Sequence, residues 1–104
     1  MFNSQSFIGL ELIKMENKAL KEKLKKQIIE YLNLIDVEPD DLQDDSPLFG
    51  PEGDLGLDSI DSVELLVLLE REYGLKITDP KEGRKVLEDI NAMTDYIVTN
   101  AENY

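Results

Sequence analysis

The sequence predicts an all-α protein, a four-helix bundle made of three main helices and one short helix. Three segments carry apolar residues at helical spacings, and no alternation of apolar and polar residues is sustained long enough for a strand. A segment rich in proline and glycine predicts a long loop between helices one and two. With 104 residues, the chain can bury one small hydrophobic core.

The first helix is predicted from residue 16 to about residue 35. Residues 1–14 precede it with an apolar patch but no basic leader, so we expect an N-terminal extension, loose or docked on the body, before a folded domain at 15–104. Apolar residues recur along the helix at spacings of three and four, opposite lysines and glutamates; they are Leu20, Leu24, Ile28, Tyr31, Leu32 and Ile35.

Residues 36–58, DVEPDDLQDDSPLFGPEGDLGLD, form the predicted loop, because they contain three prolines and three glycines. Asp54 and Leu55 are expected to hold the turn before the second helix, which Gly56 allows to be tight. A loop of this length in a small domain is typical of a functional segment. We expect five apolar residues to anchor it to the core: Val37, Leu42, Leu48, Phe49 and Leu55.

The second helix is predicted at residues 59–73, where Gly74 ends it. The segment LKITDPKEGRK holds one short turn of helix at most, because Pro80 can open a helix and Gly83 weakens it. The last helix is predicted from about residue 89 to residue 99. Its apolar face presents Ile90, Met93 and Ile97, with Tyr96 beside them.

Composition excludes several functional classes. The chain has no cysteine and no histidine, so it lacks a thiolate, the commonest general base and the commonest metal ligand. The net charge is −12, and residues 36–72 alone hold thirteen acids against one base. Such a field repels nucleic acid and anionic membranes, so we expect neither nucleic-acid binding nor stable membrane insertion. The expected partners are proteins with Lys/Arg patches.

The second helix carries two apolar stripes. On a helical wheel the predicted core stripe contains Leu65, Leu66, Leu69 and Tyr73. A second stripe lies on another side of the helix, with acids beside it, and consists of Ile60, Val63 and Val67. Either a neighbouring segment covers this second stripe or it is an exposed docking strip, apolar in the middle and acidic at the rim. The acidic field favours the docking strip.

Ser59 begins this helix, where the first backbone N–H groups lack intrahelical partners and the helix dipole is positive. A serine at this position commonly caps the helix, but Asp58 can form the cap instead. The Ser59 hydroxyl would then point outward. A phosphate esterified to it would lie against the helix N-terminus, which would offset repulsion from Asp58 and Asp61.

The string DLGLDSIDSVELLVLLEREYGLKI closely resembles the phosphopantetheine attachment region of acyl carrier proteins. In that family an Asp-Ser-Leu triplet begins the second helix of a four-helix bundle, and here the triplet is Asp58-Ser59-Ile60. The resemblance continues through ITDP and VLEDINAMTDYI and covers nearly all of residues 18–100. Residues that look like the family's later core positions are Ile77, Leu87, Ile90, Tyr96 and Ile97.

The resemblance implies a non-catalytic carrier that serves partner enzymes. Ser59 would be the attachment site of 4′-phosphopantetheine, added by a separate phosphopantetheinyl transferase, with Asp58 beside it. The terminal thiol of this cofactor would carry acyl chains as thioesters, in agreement with the lack of cysteine in the chain. We expect a cytoplasmic monomer.

By the same resemblance, partner enzymes with basic surface patches would bind the second stripe and its acids. These enzymes are acyl-transferring, ketosynthase, reductase or ligase enzymes. The surface consists of Asp58, Ile60, Asp61, Val63, Glu64, Val67 and Glu70. The family also stores short acyl chains between its helices, so five apolar residues either line a pocket or fill the core: Leu65, Leu69, Phe49, Ile77 and Ile90.

The chain departs from typical fatty-acid carriers in four places. The segments FGPEGDLG and DPKEGRKVL are longer, Ile60 replaces the usual leucine, and Arg71 places a base on the recognition face. These differences favour a carrier for a specialised polyketide or polyene-type pathway over the housekeeping fatty-acid carrier.

Other interpretations remain beside this one. A peptidyl or D-alanyl carrier shares the fold, although the acids of the second helix favour acyl chemistry. A different class is an unmodified helical interaction module whose serine only caps the helix. Hydrolase chemistry at Ser59 is disfavoured because no histidine completes a triad. No metal site is predicted, because the spacing of an EF-hand loop does not fit Asp40, Asp41, Asp44 and Asp45.

Overall fold

A computed structural model describes residues 2–50, 53, 55–102 and 104, and at residues 2–16 it describes the backbone only. These residues form four α-helices, which in chain order are α1 (Phe2–Tyr31), α2 (Ser59–Tyr73), α3 (Pro80–Val86) and α4 (Ile90–Asn100), with a 3₁₀ turn at Pro39–Asp41. Within these residues no strand forms, and the extended pairing is one isolated bridge between Phe49 and Leu57. The predicted all-α class and four-helix bundle are confirmed.

The core lies where α1 packs against α2 and α4, while α3 packs on α4. It is built almost entirely from aliphatic side chains, which is sufficient for a helical domain of this size without a metal or a disulfide. Its fully buried members include Leu24, Ile28, Leu65, Leu68, Leu69, Ile90, Met93 and Ile97. Within the described ranges, no helix is long and apolar enough to cross a membrane.

Helix α1 differs from its predicted bounds at both ends. Its backbone is helical from Phe2, well before residue 16, and it stops at Tyr31 because Asn33 and Asp36 adopt positive φ angles of 56° and 65°. Asparagine and aspartate tolerate this left-handed conformation, which a helix cannot continue. The assignment of Ile35 to the apolar face of this helix was therefore wrong, since Ile35 lies beyond the helix and its side chain is 83% exposed.

The proposed extension at residues 1–14 stays a prediction. The backbone of residues 2–14 continues into α1 without a break. Met1 and the side chains of residues 2–16 lie outside the described part of the structure.

The α1–α2 loop is attached to the bundle by its apolar residues and by backbone hydrogen bonds. Leu42 and Leu48 are buried, and Val37, Phe49 and Leu55 are partly buried, as expected of anchors. Leu48 N–H donates to Glu88 O at 3.0 Å, and Asn91 N–H donates to Asp44 O at 3.0 Å. These two bonds fasten the loop to the start of α4. Asp54, the other expected anchor of this loop, lies outside the described residues.

An ion pair fastens the same loop to α1. Lys25 is only 8% exposed, and its Nζ lies 2.8 Å from Asp44 Oδ1, while Lys21 Nζ lies 3.7 Å from Asp44 Oδ2. The Lys25 ammonium, more than the charge of Lys21, lowers the pKa of the Asp44 carboxyl from its usual value. A buried lysine without such a partner is costly, so the pair favours the observed loop position.

Helix α3 is longer than the single turn expected. The side chain of Asp79 caps it by accepting from Lys81 N–H at 3.1 Å, and Pro80 opens it as predicted. The helix then continues through Gly83 to Val86, because burial of Val86 and Leu87 stabilises it against the low helix propensity of glycine. Helix α4 agrees with its prediction within a residue.

Candidate functional site

The N-terminus of α2 is capped by Asp58. Its Oδ1 accepts from Ile60 N–H at 3.0 Å and from Asp61 N–H at 3.2 Å. In return, Asp61 Oδ2 accepts from Asp58 N–H at 3.0 Å, which completes a reciprocal capping box. Two orphan donors of the first turn are thus satisfied by Asp58, the alternative cap considered from the sequence.

Ser59 is the first residue of α2, and its side chain is exposed. Its carbonyl oxygen accepts from Ser62 Oγ at 2.6 Å. Its own hydroxyl makes no hydrogen bond with any residue that the structure describes. Because Asp58 forms the cap, this hydroxyl is available to an external group at the positive end of a helix.

The chain before Ser59 is held in place by a short backbone pairing. Gly50 N–H donates to Leu57 O at 3.3 Å, and Leu57 N–H donates to Leu48 O at 3.2 Å, with the Leu57 side chain buried. Gly56 has a φ of 57°, a left-handed conformation that a glycine adopts without strain. The backbone pairing and the turn at Gly56 therefore hold Ser59 at a fixed position beside the bundle.

The second apolar stripe of α2 is exposed over most of its length. Ile60 is 73% exposed and Val63 is 57% exposed, while Val67 is partly buried. Glu64 and Glu70 beside them are also exposed. No described segment of the chain covers Ile60 and Val63, so they and their acidic rim are accessible to another protein.

The buried face of α2 differs from the predicted core stripe at two residues. Leu65, Leu69 and Tyr73 are buried as expected, but Leu68 is fully buried as well, and Leu66 is only partly buried. The buried arc spans about 140° of the helix circumference, from Leu68 to Tyr73, because α2 sits deep in the bundle. This leaves Leu66 at the edge of the core.

A groove of about 650 Å³ lies between α2, α3 and the loop before α2. Ser59 forms part of its edge, and its interior is mainly apolar, with Phe49, Leu66, Ile77, Gly83 and Leu87 in the lining. Charged side chains at its borders include Asp79, Arg84 and Glu88.

The predicted pocket residues divide into two groups. Phe49 and Ile77 line the groove. For the other three the second alternative holds: Leu65, Leu69 and Ile90 have no exposed surface and fill the core. The sequence analysis did not predict that Leu66, Gly83 and Leu87 line the groove. Of these, Leu66 could have been found, because it lies at the border of the predicted core stripe of α2.

A polar network fixes the C-terminal half of α2 against α1. Tyr31 Oη donates to Glu72 Oε2 at 2.8 Å, and Gln27 Nε2 donates to Glu72 Oε1 at 3.3 Å. Tyr73 Oη donates to the Gln27 side-chain oxygen, and burial raises the pKa of Tyr73 to about 12, so this hydroxyl keeps its proton at neutral pH. The network fixes the orientation of α2 relative to α1 and so determines which face of α2 is exposed.

The acids in the described part of the loop do not converge on a metal position. Across the described residues, no group of three or more possible ligands comes together. Asp44 binds Lys25 and Lys21, and Asp41 Oδ2 accepts from Glu38 N–H at 2.9 Å. These carboxylates therefore serve the structure of the loop.

Comparison with known proteins places the chain in a family. A family model described as "Phosphopantetheine attachment site" matches residues 22–81, more than half of the chain and a span that includes the N-terminus of α2. The chain belongs to the acyl carrier protein family. Two similar relatives, each named "Acyl carrier protein", are from Bradyrhizobium sp. (strain ORS 278) and Nitrobacter hamburgensis; each is 32% identical over 82 residues, which cover 79% of this chain and 94% of the relative.

The cofactor of this acyl carrier protein is 4′-phosphopantetheine. The residues at the N-terminus of α2 fit such a group. The cofactor joins a carrier as a phosphate ester, which requires an accessible hydroxyl, and Ser59 has one without a hydrogen bond to the described residues. The adjoining groove is wide enough and apolar enough for part of a flexible arm or its cargo.

Proposed function

We propose that this acyl carrier protein carries acyl chains as thioesters on a 4′-phosphopantetheine arm attached to Ser59. The observation that carries the proposal is the exposed Ser59 hydroxyl at a helix start where Asp58 supplies the cap. On modification, Ser59 Oγ would lose its proton and attack the phosphorus of a phosphopantetheine-bearing nucleotide diphosphate; the P–O bond to Ser59 would form as the P–O–P bond of the donor breaks and the nucleotide leaves. The positive end of α2 then faces the phosphate and offsets repulsion from Asp58 and Asp61.

The cap made by Asp58 argues against the alternative of an unmodified interaction module. That alternative needs Ser59 for the start of the helix, and the geometry gives this task to Asp58 and Asp61. A catalytic role for Ser59 has equally little support, because the chain has no histidine to activate it. The protein is therefore proposed to be a substrate of its partner enzymes, without catalysis of its own.

The proposed partner surface is the exposed face of α2. Its apolar centre is Ile60 and Val63, with Val67 partly buried behind them. The acidic rim is formed by Asp58, Asp61, Glu64 and Glu70. Such a surface suits brief binding to basic patches, because charge accelerates encounter and a small apolar centre keeps the complex weak enough to dissociate. Its partners are proposed to be a phosphopantetheinyl transferase and acyl-processing enzymes.

We also propose that the acyl chain can fold back into the groove beside Ser59. The support is the apolar lining by Phe49, Leu66 and Ile77 and the position of Ser59 on the groove edge. Burial of methylene groups there is favourable by about 0.8 kcal/mol for each one removed from water. Assignment to a polyketide or polyene-type pathway, a cytoplasmic location and the monomeric state stay predictions from the sequence.

Intact-mass spectrometry tests the attachment. The protein is co-expressed with a promiscuous phosphopantetheinyl transferase, and we expect a gain of one phosphopantetheine mass. Ser59→Ala should abolish the gain. Ser62→Ala is the matched control, since Ser62 is a second serine one turn along α2, and it should still be modified. Modification of Ser59→Ala, or none of the unaltered protein, would overturn the proposal.

A further inference from the structure

The glycine at position 83 has no backbone reason to be a glycine. Gly83 lies inside α3, donates its N–H to Asp79 O at 2.9 Å and accepts from Leu87 N–H at 2.9 Å. Its φ is not positive, so a side chain would cause no backbone strain there. Glycine is nevertheless a poor residue for a helix interior.

Close packing does not require glycine at this position either. A Cβ atom on Gly83 would lie 3.9 Å from Ile77 Cγ2 and 4.0 Å from Leu66 Cδ2, both ordinary van der Waals distances. Ile77 and Leu66 line the groove, as does Gly83 itself. A side chain at position 83 would therefore extend into the groove, and the glycine leaves that space open.

We propose that Gly83 is a specificity-determining residue that sets how long an acyl chain the groove accepts. The inference rests on the proposed function, because the chain in question is the one tethered through Ser59 on the groove edge. The groove holds about 650 Å³, and a side-chain carbon at position 83 would occupy about the same part of it as a carbon of the acyl chain.

Chain length should then appear in the stability of the loaded protein. Each methylene that moves from water into the groove multiplies the folding equilibrium constant about fourfold. The increase stops when the groove is full and further carbons remain in water. The length at which it stops measures the usable depth of the groove.

The test compares melting temperatures of loaded and unloaded carriers. The transferase attaches arms bearing saturated acyl chains that lengthen by one carbon at a time, and intact mass confirms each product. Gly83→Leu adds four carbons to the groove, and Gly83→Ala adds one and introduces a good helix former. Lys85→Leu is the control, since it places the same side chain at an exposed position of α3 outside the groove lining.

We expect the stabilisation of Gly83→Leu to reach its maximum at a chain about four carbons shorter than in the unaltered protein. Gly83→Ala should shift the maximum by about one carbon, and Lys85→Leu should not shift it. Equal maxima in Gly83→Leu and the unaltered protein would overturn the inference, as would an unaltered protein whose stability ignores chain length.

Further outcomes separate the role of Gly83 from the attachment of the arm. If Gly83→Leu does not fold, Gly83→Ala decides: its maximum must move to shorter chains, and an unchanged maximum would overturn the inference. A complete lack of mass gain refutes attachment itself and so overturns the proposed function as well. Mass gain without a shift overturns the role of Gly83 alone.

Discussion

Because Asp58 caps α2 and the Ser59 hydroxyl does not, their substitutions should differ in their effect on stability. Asp58 Oδ1 accepts two backbone hydrogen bonds, at 3.0 Å and 3.2 Å, whereas the Ser59 hydroxyl accepts none from the described residues. Asp58→Ala should therefore lower the free energy of unfolding by about 1 kcal/mol, the usual contribution of an N-cap side chain. Ser59→Ala should change it by less than about 0.5 kcal/mol, as expected of an exposed residue without a partner.

Asp58→Asn distinguishes the hydrogen bonds of the cap from the effect of the negative charge of Asp58. Asparagine keeps an acceptor oxygen in the same position and is as good a cap, so this variant should lose less stability than Asp58→Ala. Urea unfolding followed by far-ultraviolet circular dichroism measures all three changes. Amide hydrogen exchange at Ile60 and Asp61 should quicken in Asp58→Ala alone. The reverse order, with Ser59→Ala the more destabilised variant, would refute the assignment of the cap and of a free hydroxyl.

Four further predictions concern charge. Glu64→Lys or Glu70→Lys should slow modification by the transferase about tenfold at low salt, while the free energy of unfolding changes by less than about 0.5 kcal/mol. The matched control Glu30→Lys, on the exposed surface of α1, should leave the rate near normal. Equal rates in all three variants would count against the α2 surface. Asp44→Asn should cost about 1–2 kcal/mol in urea unfolding because it leaves buried Lys25 without its partner, and adding Lys25→Met should recover most of this loss. Because the pKa of Asp44 is lowered, its contribution to the free energy of unfolding is present above its ordinary pKa and is lost as the pH falls through the lowered value. Asp44→Asn should therefore flatten the acid limb of a curve of stability against pH. Moderate salt should raise the melting temperature of a protein with net charge −12, and a melting temperature insensitive to salt would contradict that expectation.

Residues whose state depends on near neighbours were predictable. The Asp58 cap, the end of α2 at Gly74 with a φ of 68°, and the opening of α3 at Pro80 all follow from contacts within one helical turn. The exposure of Ile60 and Val63 could be predicted as one of two alternatives, because a helix in a small bundle buries one face and these residues lie off it.

Residues whose state depends on distant segments were not predictable in the same way. Ile35 fits the apolar pattern of α1, but the left-handed residues Asn33 and Asp36 carry it out of the helix. Leu68 lies outside the predicted core stripe, because a helical wheel does not show how deeply α2 sits in the bundle. Lys25 belongs to a basic patch in the sequence, and only the position of the loop makes it the buried partner of Asp44.

The sequence by itself determined the helical class, the start and end of α2, the acidic field and the identity of Ser59 as the candidate attachment residue, since these depend on residue type and local spacing. The tertiary structure decided what lies beside that serine. Leu66 comes from α2, Gly83 from α3 and Leu87 from the residue that follows α3, and only their packing forms a groove. Burial and cavity shape depend on contacts between residues far apart in the chain, and the local spacing of residues in a sequence does not determine which distant residues come into contact.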